Sequence, residues 1–223
     1  MTSPGIDGVL FDFGRTLFGH APEAELLVRE AAALGVKLTE RDGEALWAEI
    51  DVAAMDAAEV ALGRDLDAAV WAERWLALYG LADRIVPGVG SALAKTMEDP
   101  ATWVPYASTA LLLRRLHAAG RRVGVLSNTG WNVRRPFVAR GLGGYVDEWV
   151  LSCEVGLVKP DPAVFAIACE RLGTAPERTL MVGDNALADG GASAVGLPVL
   201  ILPAGAAVGE ENGLDLVPAL AGI

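Results

Sequence analysis

The chain has 223 residues, 52% of them hydrophobic and 21% charged, a balance that suits one or two globular domains. Its formal net charge of −11 argues against nucleic-acid binding, which needs a basic face. No apolar run reaches the roughly eighteen residues needed to span a bilayer, and the stretch 197–208 that comes closest is broken by Pro198 and Pro203.

The first residues lack a basic stretch followed by an apolar core, so no secretory signal is expected. Two cysteines, Cys153 and Cys169, are too few for a disulfide framework and read as buried thiols in apolar segments. These features together predict a cytoplasmic protein.

In chain order, residues 8–13 read as a short buried strand running into Asp12-Phe13-Gly14-Arg15-Thr16. A carboxylate just past a buried strand needs a partner such as a metal or a lysine, because buried unpaired charge is costly. Residues 22–79 are helical in pattern. A helix is expected over 24–34. Leu46, Ile50, Ala53, Ala57 and Val60 then recur at spacings of four and three, as do Trp71, Trp75 and Leu78. This predicts a small inserted helical bundle with the tryptophans as its core. Residues 81–105 bend at Pro87-Gly88, Asp99-Pro100 and Pro105, and read as a return path with one helix over 91–98.

Ser108 is placed to cap a helix through His117, stopped by Gly120. A strand over 122–127 ends at Ser127-Asn128-Thr129, and another is expected over 148–151. Lys159-Pro160 precedes a helix that starts at Asp161-Pro162 and stops at Gly173. The strand 179–183 ends at Gly183-Asp184-Asn185, with Asp189 five positions after Asp184. A last strand over 198–202 and a docked helix over 214–220 complete the pattern. Strands alternating with helices predict an α/β fold with a doubly wound parallel sheet. Ligands bind at the carboxyl ends of such strands. The carboxylates, the hydroxyl and the ammonium would therefore converge there, as a cation and phosphate site.

Taken in order, the four segments around Asp12, Ser127, Lys159-Pro160 and Gly183-Asp184 with Asp189 resemble the haloacid dehalogenase (HAD) superfamily of phosphatases and related hydrolases. The resemblance covers residues 6 to about 203. It implies a Rossmann-type core built from residues 1–21 and 80–223, and a helical cap, residues 22–79, inserted after the first strand. It implies that Asp12 is the nucleophile, forming an aspartyl-phosphate, and that Mg2+ is held by Asp12, Asp184 and the backbone carbonyl of Gly14. Lys159 would pair with the phosphoryl group and the carboxylates. Ser127 would bond a phosphoryl oxygen, with the N–H groups of Asn128 and Thr129 beside it. Thr16 would orient the first loop, and Asp189 would hold Lys159 or a metal-bound water.

Gly14 departs from the family pattern, which has the general acid and base Asp there. Arg15 also replaces a residue that is usually small, and is expected to face outward. His20, at the exit to the cap, could supply the missing proton or simply serve as a hinge residue. Trp131, Asn132 and Arg134 could border the pocket, or pack and face solvent. Three functions stay open. The first is a Mg2+-dependent phosphatase of a small phosphorylated metabolite. The second is a 2-haloacid dehalogenase, or a phosphonate hydrolase for which Lys37 is the one cap lysine. The third is a weakly catalytic binding or regulatory module. Neither a nucleic-acid nor a membrane partner is expected.

Overall fold

The structure, a computed structural model, describes residues 5–203 and 205–223. Strand β1 (Gly8–Phe11) is followed by a tight loop and the two-residue β2 (Phe18–Gly19). Five helices come next: α1 (Glu23–Ala33), α2 (Glu40–Ala54), α3 (Ala57–Ala61), α4 (Ala68–Tyr79) and α5 (Val89–Glu98). The short β3 (Val104–Pro105) leads back to α6 (Thr109–Ala118), β4 (Arg122–Ser127), α7 (Arg134–Ala139) and β5 (Glu148–Leu151). The chain closes with α8 (Ser152–Val155), α9 (Pro162–Leu172), β6 (Thr179–Gly183), β7 (Val199–Ile201) and α10 (Val217–Ala221).

The main sheet has the order β5-β4-β1-β6-β7, and every neighbouring pair is parallel. All four residues of β1 are buried, as expected for a central strand covered on both faces. One face packs on Leu112, Leu113, Leu116 and Phe137, the other on Val164, Phe165 and Ala168. Because β1 sits between β4 and β6, the chain departs to opposite sides of it. That reversal opens a crevice at the carboxyl ends of these three strands.

The local signals act mostly as expected. Asp161 caps α9 through Ala163 N at 2.9 Å, and Gly173 ends it at φ 72°. Ser108 behaves differently. Its hydroxyl makes no capping bond and instead donates to Glu211 at 2.6 Å. The expected periodicity through Val60 is also interrupted. Asp56 accepts from Ala58 N at 2.8 Å, which starts a new helix and leaves Val60 exposed.

The helical layer reaches further along the chain than residue 79. Val89, Leu93 and Met97 lie four apart on α5 and are buried with Leu26, Leu27, Ile50 and Leu78. The segment read as a return path thus supplies one wall of the bundle, and the packing favours a cap that runs to Glu98. The terminal helix docks as predicted, with Leu214 and Val217 fully buried in the main core. Cys169 is buried, whereas Cys153 is only partly so. No helix among the described residues is long and apolar enough to cross a membrane.

Candidate active site

Register places the main polar groups side by side. Phe11 pairs with both Val125 and Val182, so Asp12 emerges between the ends of β4 and β6. Its N–H remains in the ladder, donating to Val182 O at 2.9 Å. Ser127 is the last residue of β4 and Asp184 follows the last of β6. Lys159 comes from the connection between α8 and α9. Its Nζ lies 2.8 Å from Asp12 Oδ1 and 2.6 Å from Asp189 Oδ1, so a buried ammonium bridges two carboxylates. Asp189 Oδ2 also accepts from Asn185 N at 2.9 Å, which engages both of its oxygens. A Cβ at Gly183 would overlap the Asp189 carboxylate, so only glycine fits there.

Asp12, Asp184 and Asp189 can each offer an oxygen within 4.8 Å of the others. Three carboxylates against one ammonium leave two negative charges in excess when all are ionised. Burial, then the charges of Asp12 and Asp189, push Asp184 up to about 6. Asp12 is raised as well, by burial and by Asp189, with Lys159 opposing. For Lys159, burial works to lower the pKa, but Asp12 and Asp189 outweigh it and raise it. Such a strained anionic cluster fits a divalent cation. Asp12 and Asp184 have the oxygens for it, while Asp189 is already committed to Lys159 and the Asn185 amide.

Gly14 bridges to Phe18 through the Phe13 carbonyl and the Arg15 amide, which leaves its own carbonyl outside the pattern. It does not adopt positive φ, and a Cβ there would meet only Trp103 Cζ3, at 3.9 Å. Arg15 has φ 56°, a conformation rare for a side-chain-bearing residue. It is exposed, as expected, and donates to Glu23 at 3.2 Å.

Several predicted contacts are redirected. Asn128 lines the cavity, and its side chain makes a two-way clasp with the Lys159 backbone, 2.7 Å to N and 2.9 Å to O, a contact separate from the expected role of its backbone N–H. It positions the lysine. The N–H of Thr129 donates to Ser152 Oγ at 2.8 Å and is not free for a phosphoryl oxygen. Thr16 is wholly buried and does not line the cavity, because the left-handed Arg15 turns the chain inward there. Its carbonyl accepts from Asn212 Nδ2 at 2.8 Å. The adjacent Glu210 carbonyl accepts from Ala107 N at 3.1 Å, so the C-terminal segment braces the nucleophile loop.

The cavity holds about 900 Å³ and runs from Asp12, Ser127 and Lys159 up into the helical layer. Trp47, Trp71 and Trp75 line it, so the tryptophans assigned to the bundle's packing also form its walls. Trp131 lines it too. Asn132 and Arg134 do not, and Arg134 instead clamps Glu154 at 2.6 and 2.8 Å. His20 is in the lining, its Nδ1 2.8 Å from Ala21 O and its ring edge-on to Trp103. Lys37 is exposed and outside the cavity. The helical layer is closed down. Trp71 packs where a Cβ on Gly130 would overlap it, and Ser152 Oγ donates to Asp65 O at 2.5 Å. Ser152 was missed from the sequence, although it follows β5 as Asp12 follows β1, and the same strand-end rule would have found it.

The haloacid dehalogenase-like hydrolase family matches residues 6–195 of this chain. The glyceraldehyde 3-phosphate phosphatase of Methanothermobacter thermautotrophicus is 33% identical over 120 residues, 50% of this chain and 53% of that protein. An (S)-2-haloacid dehalogenase of Pseudomonas fluorescens is 38% identical over 96 residues, 43% of this chain and 42% of that protein. The chain thus matches about half the length of these curated relatives. The crystal structure of a HAD phosphatase from Thermococcus onnurineus superposes with a TM-score of 0.64 at 22% identity, covering 97% of this chain and 98% of that one. That last likeness is one of fold.

Proposed function

Because this chain belongs to the haloacid dehalogenase-like hydrolases, we propose that it is a Mg2+-dependent phosphatase of a small phosphorylated metabolite. The observation that carries this reading is the cluster of Asp12, Asp184 and Asp189 around Lys159. Asp12 and Asp184, with the Gly14 carbonyl, would hold the cation, which when bound offsets their charge and that of the phosphoryl oxygens.

Asp12 Oδ1 is engaged by Lys159. The other oxygen attacks phosphorus, the bond to the leaving oxygen breaks, and an aspartyl-phosphate forms. Lys159 stays on the nucleophile side as a fixed positive charge. Ser127 bonds a phosphoryl oxygen. Water then hydrolyses the acyl phosphate and restores Asp12. No carboxylate at position 14 protonates the leaving group or takes the water's proton. The closed helical layer limits competing water.

A second reading, 2-haloacid dehalogenase, is favoured by the Pseudomonas fluorescens relative and by Gly14, since halide needs no proton. Asp184 opposes it, because a reaction without metal gains nothing from a third carboxylate in the cluster. The phosphonate-hydrolase variant lacks support, with Lys37 outside the cavity. The deciding experiment measures phosphate release from a panel of phosphorylated metabolites with Mg2+ or EDTA, beside chloride release from 2-chloropropionate. Mg2+-dependent phosphate release supports the first reading. Chloride release in EDTA replaces it with the second.

A further inference from the structure

The geometry points to a phosphate monoester of a flat, phenol-type aromatic alcohol as the substrate, its ring held between the indoles of Trp71 and Trp103. This rests on the phosphatase reading and narrows it. Two independent observations converge on it.

The first is the wall around the leaving group. Position 14 is where a proton donor would stand, and the nearest side-chain atom there is Trp103 Cζ3. That indole is fixed. Its Nε1 donates to Met97 O at 2.9 Å, and its ring stacks on Trp131 with centroids 5.6 Å apart. The ring of Phe13, beside the nucleophile, lies 4.9 Å from it. From the helical layer, Trp71 comes down onto Gly130 of the loop after β4, and Trp75 and Tyr79 continue the aromatic surface behind it. A volume of about 900 Å³ is far more than a three-carbon ester fills, and lies within the range that encloses ring-bearing ligands. Trp71 and Trp103 are both partly buried and line this space, and an aromatic ring can meet such indoles by offset-stacked or edge-to-face contact.

The second is the chemistry at Gly14. When Asp12 attacks, the phosphorus–oxygen bond breaks and the oxygen leaves with the electron pair. An alkoxide needs a proton at that moment, and position 14 supplies none. A phenolate departs without one and takes its proton from water afterwards. Hydrolysis of the aspartyl-phosphate uses one water and releases a proton that neutralises the hydroxide left by the first, so the sum is aryl phosphate plus one water giving the phenol and inorganic phosphate.

The test compares 1-naphthyl phosphate, acetyl phosphate and glycerol 1-phosphate with the Mg2+-loaded full chain. Acetyl phosphate shares the good leaving group but has no ring. The expected KM for naphthyl phosphate is at least about tenfold below that for acetyl phosphate, with glycerol phosphate slowest in kcat. Trp71→Leu should cut the naphthyl-to-acetyl ratio of kcat/KM about tenfold. Calorimetry on Asp12→Asn gives a readout without turnover: naphthyl phosphate should bind more tightly than inorganic phosphate, and Trp71→Leu should erase the difference. If acetyl phosphate is hydrolysed but the ring gives no advantage in KM or binding, the inference fails and the phosphatase reading stands. If none of the three is hydrolysed with Mg2+, the phosphatase reading fails and takes this one with it.

Discussion

Gly14→Asp would put a carboxylate where the family's first motif carries its general acid and base, and the structure allows it. The backbone there is not left-handed, and the new Cβ meets a neighbour only at 3.9 Å, an ordinary van der Waals contact. The variant should therefore fold. The new carboxyl would join a cluster already rich in negative charge, which raises its pKa. Only the protonated fraction of that carboxyl can act as the acid. General acids contribute about a hundred- to ten-thousand-fold when fully protonated, so a partly protonated one predicts a gain of about tenfold or more in kcat/KM for alkyl phosphates. For aryl or acyl phosphates, whose leaving groups need no proton, the gain should stay under about threefold. The assay is steady-state phosphate release across a series of leaving groups, with Mg2+ binding and Tm measured alongside. A folded, Mg2+-binding variant with no gain on alkyl phosphates, beside a wild type indifferent to leaving group, would refute the reasoning. His20, which lines the same cavity, would then be the residue to mutate for the missing donor.

Four further outcomes follow from the same geometry. Asp12→Asn should abolish turnover with the fold kept, by circular dichroism, and full activity in this variant would reject the mechanism. Metal affinity should fall tenfold per pH unit below about 6, as Asp184 takes up a proton, and level off above it. The metal-free protein should show the opposite trend. A carboxyl raised above its unfolded value contributes most below that value, so stability should fall as pH rises through about 6. Lys159→Met leaves Asp12 and Asp189 buried without their counter-charge, and should cost about 3–5 kcal/mol in urea unfolding without Mg2+. Gly130→Ala should push Trp71 away and open the helical layer, seen as faster proteolysis of residues 22–98 and a higher KM, and unchanged values would count against a lid.

The sheet was legible because its strands are short apolar runs, several of which, β1, β4 and β6 among them, end at a polar group that has no place in a core. Strands over 122–127, 148–151 and 179–183 fall at the expected residues. The approach of Asp12 and Asp184 was legible for the same reason, whereas Lys159 and Asp189 stood out only through the ordered motif pattern. Other residues were not, because their roles depend on contacts that spacing does not encode. The side-chain amide of Asn128 gives no sign in the sequence that it clasps the Lys159 backbone. Helical spacing shows that Trp71 and Trp75 share a helix face, but not that this face borders a cavity. The packing of α5 against the bundle was not legible because Pro87-Gly88 and Asp99-Pro100 on either side mark bends, while its buried stripe shows only once α1 and α4 are beside it.

Asn212 gives the site a dependence on distance along the chain. The Asp12 loop follows β1, yet the amide that holds the Thr16 carbonyl comes 196 residues later. An emerging chain can pair its strands and fill much of its core while that loop is still untied. The loop that carries Asp12 is then tied only after the segment holding Asn212 has been made. A nick or substitution in the acidic, glycine-rich stretch around 209–213 would act as a lesion of the active site, although no residue there touches the reacting atoms.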